Sequence, residues 1–143
     1  MKLNIKNIAK KTILSACAIT MLSSSTTFAL KNVGFTNSYV DSNQWSSVIQ
    51  RCKSDASTYT KVYIAKIKKA DGKASNYKKV NGVIMTYKEG KNYYASSSIK
   101  CELKETTQFD IDKKYQAKGT SVSFCAKGND PSLDCRIDGE FSY

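Results

Sequence analysis

The feature that most constrains the fold is alternation. Ser98 to Lys104 sets Ile99, Cys101 and Leu103 against Lys100 and Glu102. Gly119 to Ala126 repeats the pattern with Val122 and Phe124. Cys135 to Tyr143 sets Cys135, Ile137, Gly139, Phe141 and Tyr143 against Arg136, Asp138 and Glu140. A side-chain period of two belongs to a strand with one buried face. Tyr59 to Lys68 (YTKVYIAKIK) has the β-branched and aromatic composition of a strand. Tyr77 to Lys88 carries Val80, Val83, Ile84, Met85 and Tyr87, interrupted at Asn81-Gly82 by what reads as a turn or a bulge. Ala70-Asp71-Gly72-Lys73, Glu89-Gly90-Lys91-Asn92 and Asn129-Asp130-Pro131-Ser132 have the chemistry of turns. Two stretches are less defined. Leu30 to Gln44 reads as a polar, extended entry segment, and Trp45, Val48, Ile49 and Cys52 suit either one helical face or a strand. The expected fold is all-β, a single small antiparallel β-sandwich.

A second signal divides the chain. Lys2, Lys6, Lys10 and Lys11 precede an apolar run of eleven, Thr12 to Leu22, and then the small polar stretch SSSTTFA. Such a run is too short to span a bilayer and matches the core of a signal peptide. The expectation is a signal peptide over 1–29, cleaved after Ala29, and a secreted domain over 30–143. Leu14-Ser15-Ala16-Cys17 has the form of a lipobox, but apolar Ala18 to Leu22 follow the cysteine. That puts the box inside the core, so cleavage at Ala29 is preferred to lipidation of Cys17. No later segment is apolar enough to serve as a transmembrane span.

Four cysteines remain in the secreted part: Cys52, Cys101, Cys125 and Cys135. An even count in a small exported domain points to two disulfides. Cys52–Cys101 with Cys125–Cys135 is favoured. Cys125 is out of phase with Val122 and Phe124, however, so a bulge there is required, or else Cys101–Cys135 is the alternative.

The chain contains no histidine, which removes the commonest general base and the Ser-His and Cys-His nucleophile pairs. Asp110 and Asp112 would share a strand face and offer a paired-carboxylate hydrolase, against the plainer reading of a solvated strand end. Asn129, Asp130, Asp134 and Asp138 offer oxygen ligands of the kind calcium takes, without EF-hand spacing. No catalytic activity, metal or cofactor is expected.

Charge is more informative. Four of the 23 Lys+Arg lie in the first 29 residues, leaving 19 against 12 Asp+Glu. Residues 61–91 hold nine lysines against Asp71 and Glu89, so the whole excess of +7 falls in that stretch. Lys61, Lys66, Lys68, Lys69, Lys73, Lys78 and Lys79, with Tyr63 and Tyr77, are the candidate binding residues, and Tyr87, Tyr93 and Tyr94 continue the pattern. Outside a cell such a face suits an anionic cell-wall polymer or lipid head group. Export and the absence of arginine from the patch argue against nucleic acid. Edge protection and solubility would also account for the lysines.

Several short pieces carry a resemblance: a polar lead-in to Trp45, Thr58-Tyr59-Thr60-Lys61, Tyr115-Gln116-Ala117 ahead of Val122-Ser123-Phe124, and the closing Ile137-Asp138-Gly139-Glu140-Phe141. Over residues 37–143 the chain resembles a family of small secreted proteins of unknown function from Gram-positive bacteria, often compared with lactococcin-type bacteriocins. The resemblance implies that Trp45 belongs to a strand and that the protein is a bacteriocin-like antibacterial toxin. It supplies no catalytic residues. The chain departs from the family in its four cysteines and in Phe141, where tryptophan is usual.

Overall fold

The computed structural model describes residues 31–132 and 134–143. The signal peptide over 1–29, the cleavage point after Ala29 and Cys17 lie outside the described residues. Two antiparallel sheets pack face to face as a β-sandwich. In chain order the strands are β1 (Asn32–Val40), β2 (Ser46–Cys52), β3 (Tyr59–Lys69), β4 (Lys79–Lys88), β5 (Lys91–Tyr94), β6 (Ile99–Glu102), β7 (Thr106–Asp110), β8 (Ser121–Gly128) and β9 (Cys135–Ser142). One sheet runs β1-β9-β3-β7; the other runs β2-β8-β4-β5, with β6 also paired to β4. A single 3-10 turn, Lys113–Tyr115, is the one helical element among the described residues.

The alternating runs bury the faces they were expected to bury. Ile137 and Phe141 of β9, Val122, Phe124 and Ala126 of β8, and Val62 and Ile64 of β3 form the core with Phe35 and Phe109. Trp45 immediately precedes β2, so the ambiguous stretch that follows it is a strand. Two expectations are corrected. The entry segment contains a full strand, β1, because Phe35 and Val40 give it a buried face and β9 supplies a hydrogen-bonding partner. Ile99 is exposed although Cys101 is buried, because β6 is a four-residue edge strand whose first residue overhangs the core.

Asn81-Gly82 is neither turn nor bulge but the interior of β4, in unbroken register with β6 and β8. A Cβ at Gly82 would lie 2.6 Å from Cys101 Sγ, 2.8 Å from Phe124 Cε2 and 2.9 Å from Phe109 Cζ. The glycine is the recess into which two phenyl rings pack. Gly139 plays the same part in the other sheet: a Cβ there would meet the carbonyl oxygen of Tyr63 and, at 2.7 Å, Phe35 Cζ. Both neighbours of β9 bulge at this point, β1 between Phe35 and Ser38 and β3 between Ile64 and Lys66. The extra residues let both strands bend around the missing side chain.

The edge of β4 is covered piecewise. β5 pairs with its C-terminal half and β6 with its N-terminal half. Between them, at Ile84, the Ala95 N–H donates to the Ile84 carbonyl (2.8 Å) and Ser96 Oγ accepts from the Ile84 N–H (3.0 Å). No ladder group of Ile84 is left orphaned.

The expected disulfides are absent: all four cysteines are unbonded. Cys52 lies opposite Ser121, at the start of β8, whereas Cys101 lies opposite Val80, which pairs with Gly128 at its end. Seven residues of strand, about 23 Å at ~3.3 Å per residue, separate the two levels, far beyond disulfide reach. Cys125 sits between Ser47 and Val83 on the outer face of its sheet, while Cys135 joins the core from the opposite sheet. The phase conflict seen in the sequence is therefore real, since the bulge falls on β2, between Ser47 and Ile49, and leaves Cys125 pointing outward. Cys101 and Cys135 serve as small core residues rather than as a bridge.

Burial pushes the thiols of Cys101, Cys125 and Cys135 up to about 11. An Ellman titration of the chain from Leu30 should therefore show one fast thiol, Cys52, and three more only on unfolding; four equally fast thiols would contradict this packing. Above pH ~9 the unfolded chain loses thiol protons that the folded chain retains, so stability should fall between about pH 9 and 11. Gly82→Ala and Gly139→Ala should each cost about 1–3 kcal/mol in denaturant melts. The second should cost more, because its obstacle is backbone rather than a side chain that can yield.

Candidate functional site

The candidate lysines do not form one face. Lys66 and Lys68 lie on the outer surface of β3, Lys66 opposite Asp138 and Lys68 in a 2.9 Å ion pair with the same carboxylate. The backbone N–H of Asn37 and, after it, Lys68 hold Asp138 below the usual carboxylate range. Lys69 and Lys73 close the turn after β3, the Lys69 N–H donating to the Lys73 carbonyl (2.9 Å), and Lys73 pairs with Asp71 at 3.3 Å. Tyr77, Lys78 and Lys79 line a cavity of about 200 Å³ shared with Asp130. Tyr63 lies opposite Glu140, and Lys61 sits 5.4 Å from the Tyr59 ring. Carboxylates answer much of this charge. Exposed pairs of this kind contribute ~0–1 kcal/mol to stability but lower the local potential.

The carboxylate candidates are also engaged. Asp134 accepts from the Tyr39 hydroxyl and the Ser42 N–H, and Asp130 from the N–H and hydroxyl of Ser132. Asp110 ends β7 and accepts from Gln108 Nε2, while Asp112 lies beyond the strand, ahead of the 3-10 turn. Among the described residues no three His, Cys, Asp or Glu side chains converge as a metal site.

The opposite end of the sandwich is different. There β4 runs into the β4–β5 hairpin, and residues 111–120 cross from β7 to β8. Between them lies an open groove of about 620 Å³. One wall carries Thr86, Tyr87 and Lys88 from β4 and Tyr93 from β5; the other carries Lys114, Tyr115 and residues 119–121. Lys114 Nζ lies 4.8 Å from the centre of the Tyr115 ring. The one carboxylate at the rim, Glu89, is highly exposed and 3.5 Å from Lys88 Nζ. Tyr87 and Tyr93 are among the exposed large hydrophobic side chains of the described residues.

A buried lysine fixes the second wall. Lys53, the residue after β2, is only 2% exposed. Its ammonium donates to the carbonyls of Ser57 (2.6 Å) and Gln116 (2.9 Å). Its backbone N–H donates to the Thr120 carbonyl (3.0 Å), and its carbonyl accepts from the Gly119 N–H (2.8 Å). Gln116 Nε2 in turn donates to the Ile111 carbonyl (2.7 Å). Gly119 supplies the positive φ (82°) that lets the loop turn back toward β8, and a Cβ on it would meet nothing within 4 Å. One residue thus holds the wall at three points. Burying an ammonium against neutral carbonyls is expensive, and this burial lowers the Lys53 pKa.

The sequence did not reveal this arrangement. Lys53 opens a Ser- and Asp-containing turn, where a lysine is ordinarily solvated, and Lys113-Lys114 follow what reads as the solvated end of a strand at Asp110 and Asp112. The signal that was available is Tyr115-Gln116-Ala117, which stood out as a motif without a role.

Lys53→Met should leave the sandwich folded while weakening hydrogen-exchange protection of the amides of Gly119 and Ser121. Unchanged protection would show that the wall does not depend on the lysine. A lowered lysine pKa opposes folding most at low pH, and the penalty fades as pH rises toward 10.5. Over pH 7 to 10 the wild type should therefore gain stability relative to Lys53→Met, a difference in which the thiol contribution cancels.

No protein-family model, no curated protein and no solved structure matches this chain.

Proposed function

We propose that the protein is an exported, non-catalytic binding protein that engages an anionic polymer of the bacterial cell surface. The observation that carries this reading is the groove at the β4–β5 end, where Lys88 and Lys114 flank three tyrosines and a single exposed carboxylate is present. The sequence supports it independently, through the cationic, apolar leader and the +7 excess of the secreted part. Lys61, Lys88 and Lys91, with Tyr87, Tyr93 and Tyr94, are the portion of the basic stretch 61–94 that lies at this end, joined there by Lys113, Lys114 and Tyr115. The lysines of the other end supply long-range attraction, while Asp71, Asp130 and Asp138 temper their local field.

The test is attachment of the chain from Leu30 to intact Gram-positive cells across a salt series. Exposed charge is screened within about 10 Å at ordinary ionic strength, so attachment should fade as salt rises. Lys88→Glu with Lys114→Glu should reduce it more than Lys66→Glu with Lys78→Glu. Lack of attachment at low salt would overturn the proposal and return the lysines to a role in solubility.

A further inference from the structure

Resting on that reading, the groove's lining narrows the ligand. Its volume, about 620 Å³, lies within the ~300–1,000 Å³ of sites that hold small molecules. No Leu, Ile, Val, Met or Phe lines it, so an acyl chain would find nothing to pack against. No Arg, Asn or Gln lines it either, which leaves the bidentate donors that read base edges absent. What remains is three tyrosines, two lysines, the hydroxyls of Thr86, Thr120 and Ser121, Gly119, and at the rim the exposed carboxylate of Glu89 beside Lys88. A tyrosine ring presents an apolar face with a polar tip. A sugar ring is built the same way, with C–H groups on its faces and hydroxyls around its edge. Serine and threonine hydroxyls both donate and accept, as a polyol requires. An ammonium is a point charge that serves a carboxylate or a phosphate equally well.

We infer that this groove binds sugar units of an acidic glycan, ring faces against Tyr87 and Tyr93 and the acidic group met by Lys88 and Lys114. The wall held by Lys53 makes the site preformed, so that little of the binding energy goes into ordering a loop. A bare polyanion would leave the tyrosines unused, and a neutral glycan would leave the lysines unused.

The experiment titrates the chain from Leu30 with four probes, following tyrosine ring resonances: tetragalacturonate, maltotetraose, a linear polyphosphate and an oligothymidylate. Tetragalacturonate should bind about tenfold or more tighter than the neutral sugar or the ringless polyanion, with shifts at Tyr87 and Tyr93. Tyr93→Ala should lose that advantage and Tyr93→Phe should keep it, with circular dichroism confirming the fold of both. Lys66→Glu should leave it unchanged. Polyphosphate binding as tightly as tetragalacturonate would overturn the glycan assignment while leaving anion binding intact. Oligothymidylate binding tightest would replace the glycan with single-stranded nucleic acid. Binding that survives Tyr93→Ala but not Lys66→Glu would place the site at the other end. Cells that retain the protein while all four probes fail would also end the glycan assignment, whereas absence of both would end the parent proposal.

Discussion

The sandwich depends on three phenyl rings meeting two positions that have no side chain. Phe109 and Phe124, with ring centroids 6.0 Å apart, close over Gly82, and Phe35 closes over Gly139 at 6.0 Å from Phe124. Phe141 joins the same core from β9. Interiors pack to crystal-like density, so rings of this size between two sheets demand hollows as well as bulk. The glycines are those hollows, one in each sheet. The bulges that bend β1 and β3 around Gly139 follow from the same demand.

Much of the sandwich was legible because alternation encodes which face of a strand is buried. Val122-Ser123-Phe124 and Ile137-Asp138-Gly139-Glu140-Phe141 could be oriented without any structure. Three things were not legible, each for a physical reason. β1 is polar because most of it is exposed, and what makes it a strand is β9, more than ninety residues away in sequence. Gly82 reads as a breaker from local propensity, whereas its role is set by rings that arrive from β7 and β8. The cysteines read as bridges from their even number. Register alone keeps Cys52 a strand length from Cys101, and register is not written in a spacing.

The candidate site shows the same limit more sharply. The lysine count of residues 61–91 is correct, but the strands carry those lysines to both ends of the sandwich and set several beside carboxylates. The groove instead assembles from Thr86 to Tyr93 and Lys114 to Ser121, brought together by the pairing of β4 with β5 and β8. Its organiser is a lysine that no charge-based argument would single out. A buried ammonium weakens the fold locally, and here its hydrogen bonds to the Ser57 and Gln116 carbonyls tie down the loop that leads into β8.

The topology of the first sheet bears on how such a chain comes to be folded. β9 is the last of the nine described strands to be synthesised, yet it lies between β1 and β3 and, among the described residues, is the only strand paired with β1. Until it emerges from the ribosome, the earliest strand has no partner and the sheet lacks an inner member. Pairings this distant in sequence form slowly, because a long loop must close before any contact rewards it. The first sheet of such a chain therefore closes only when its last strand has been made, and the earliest residues stay committed to the latest ones.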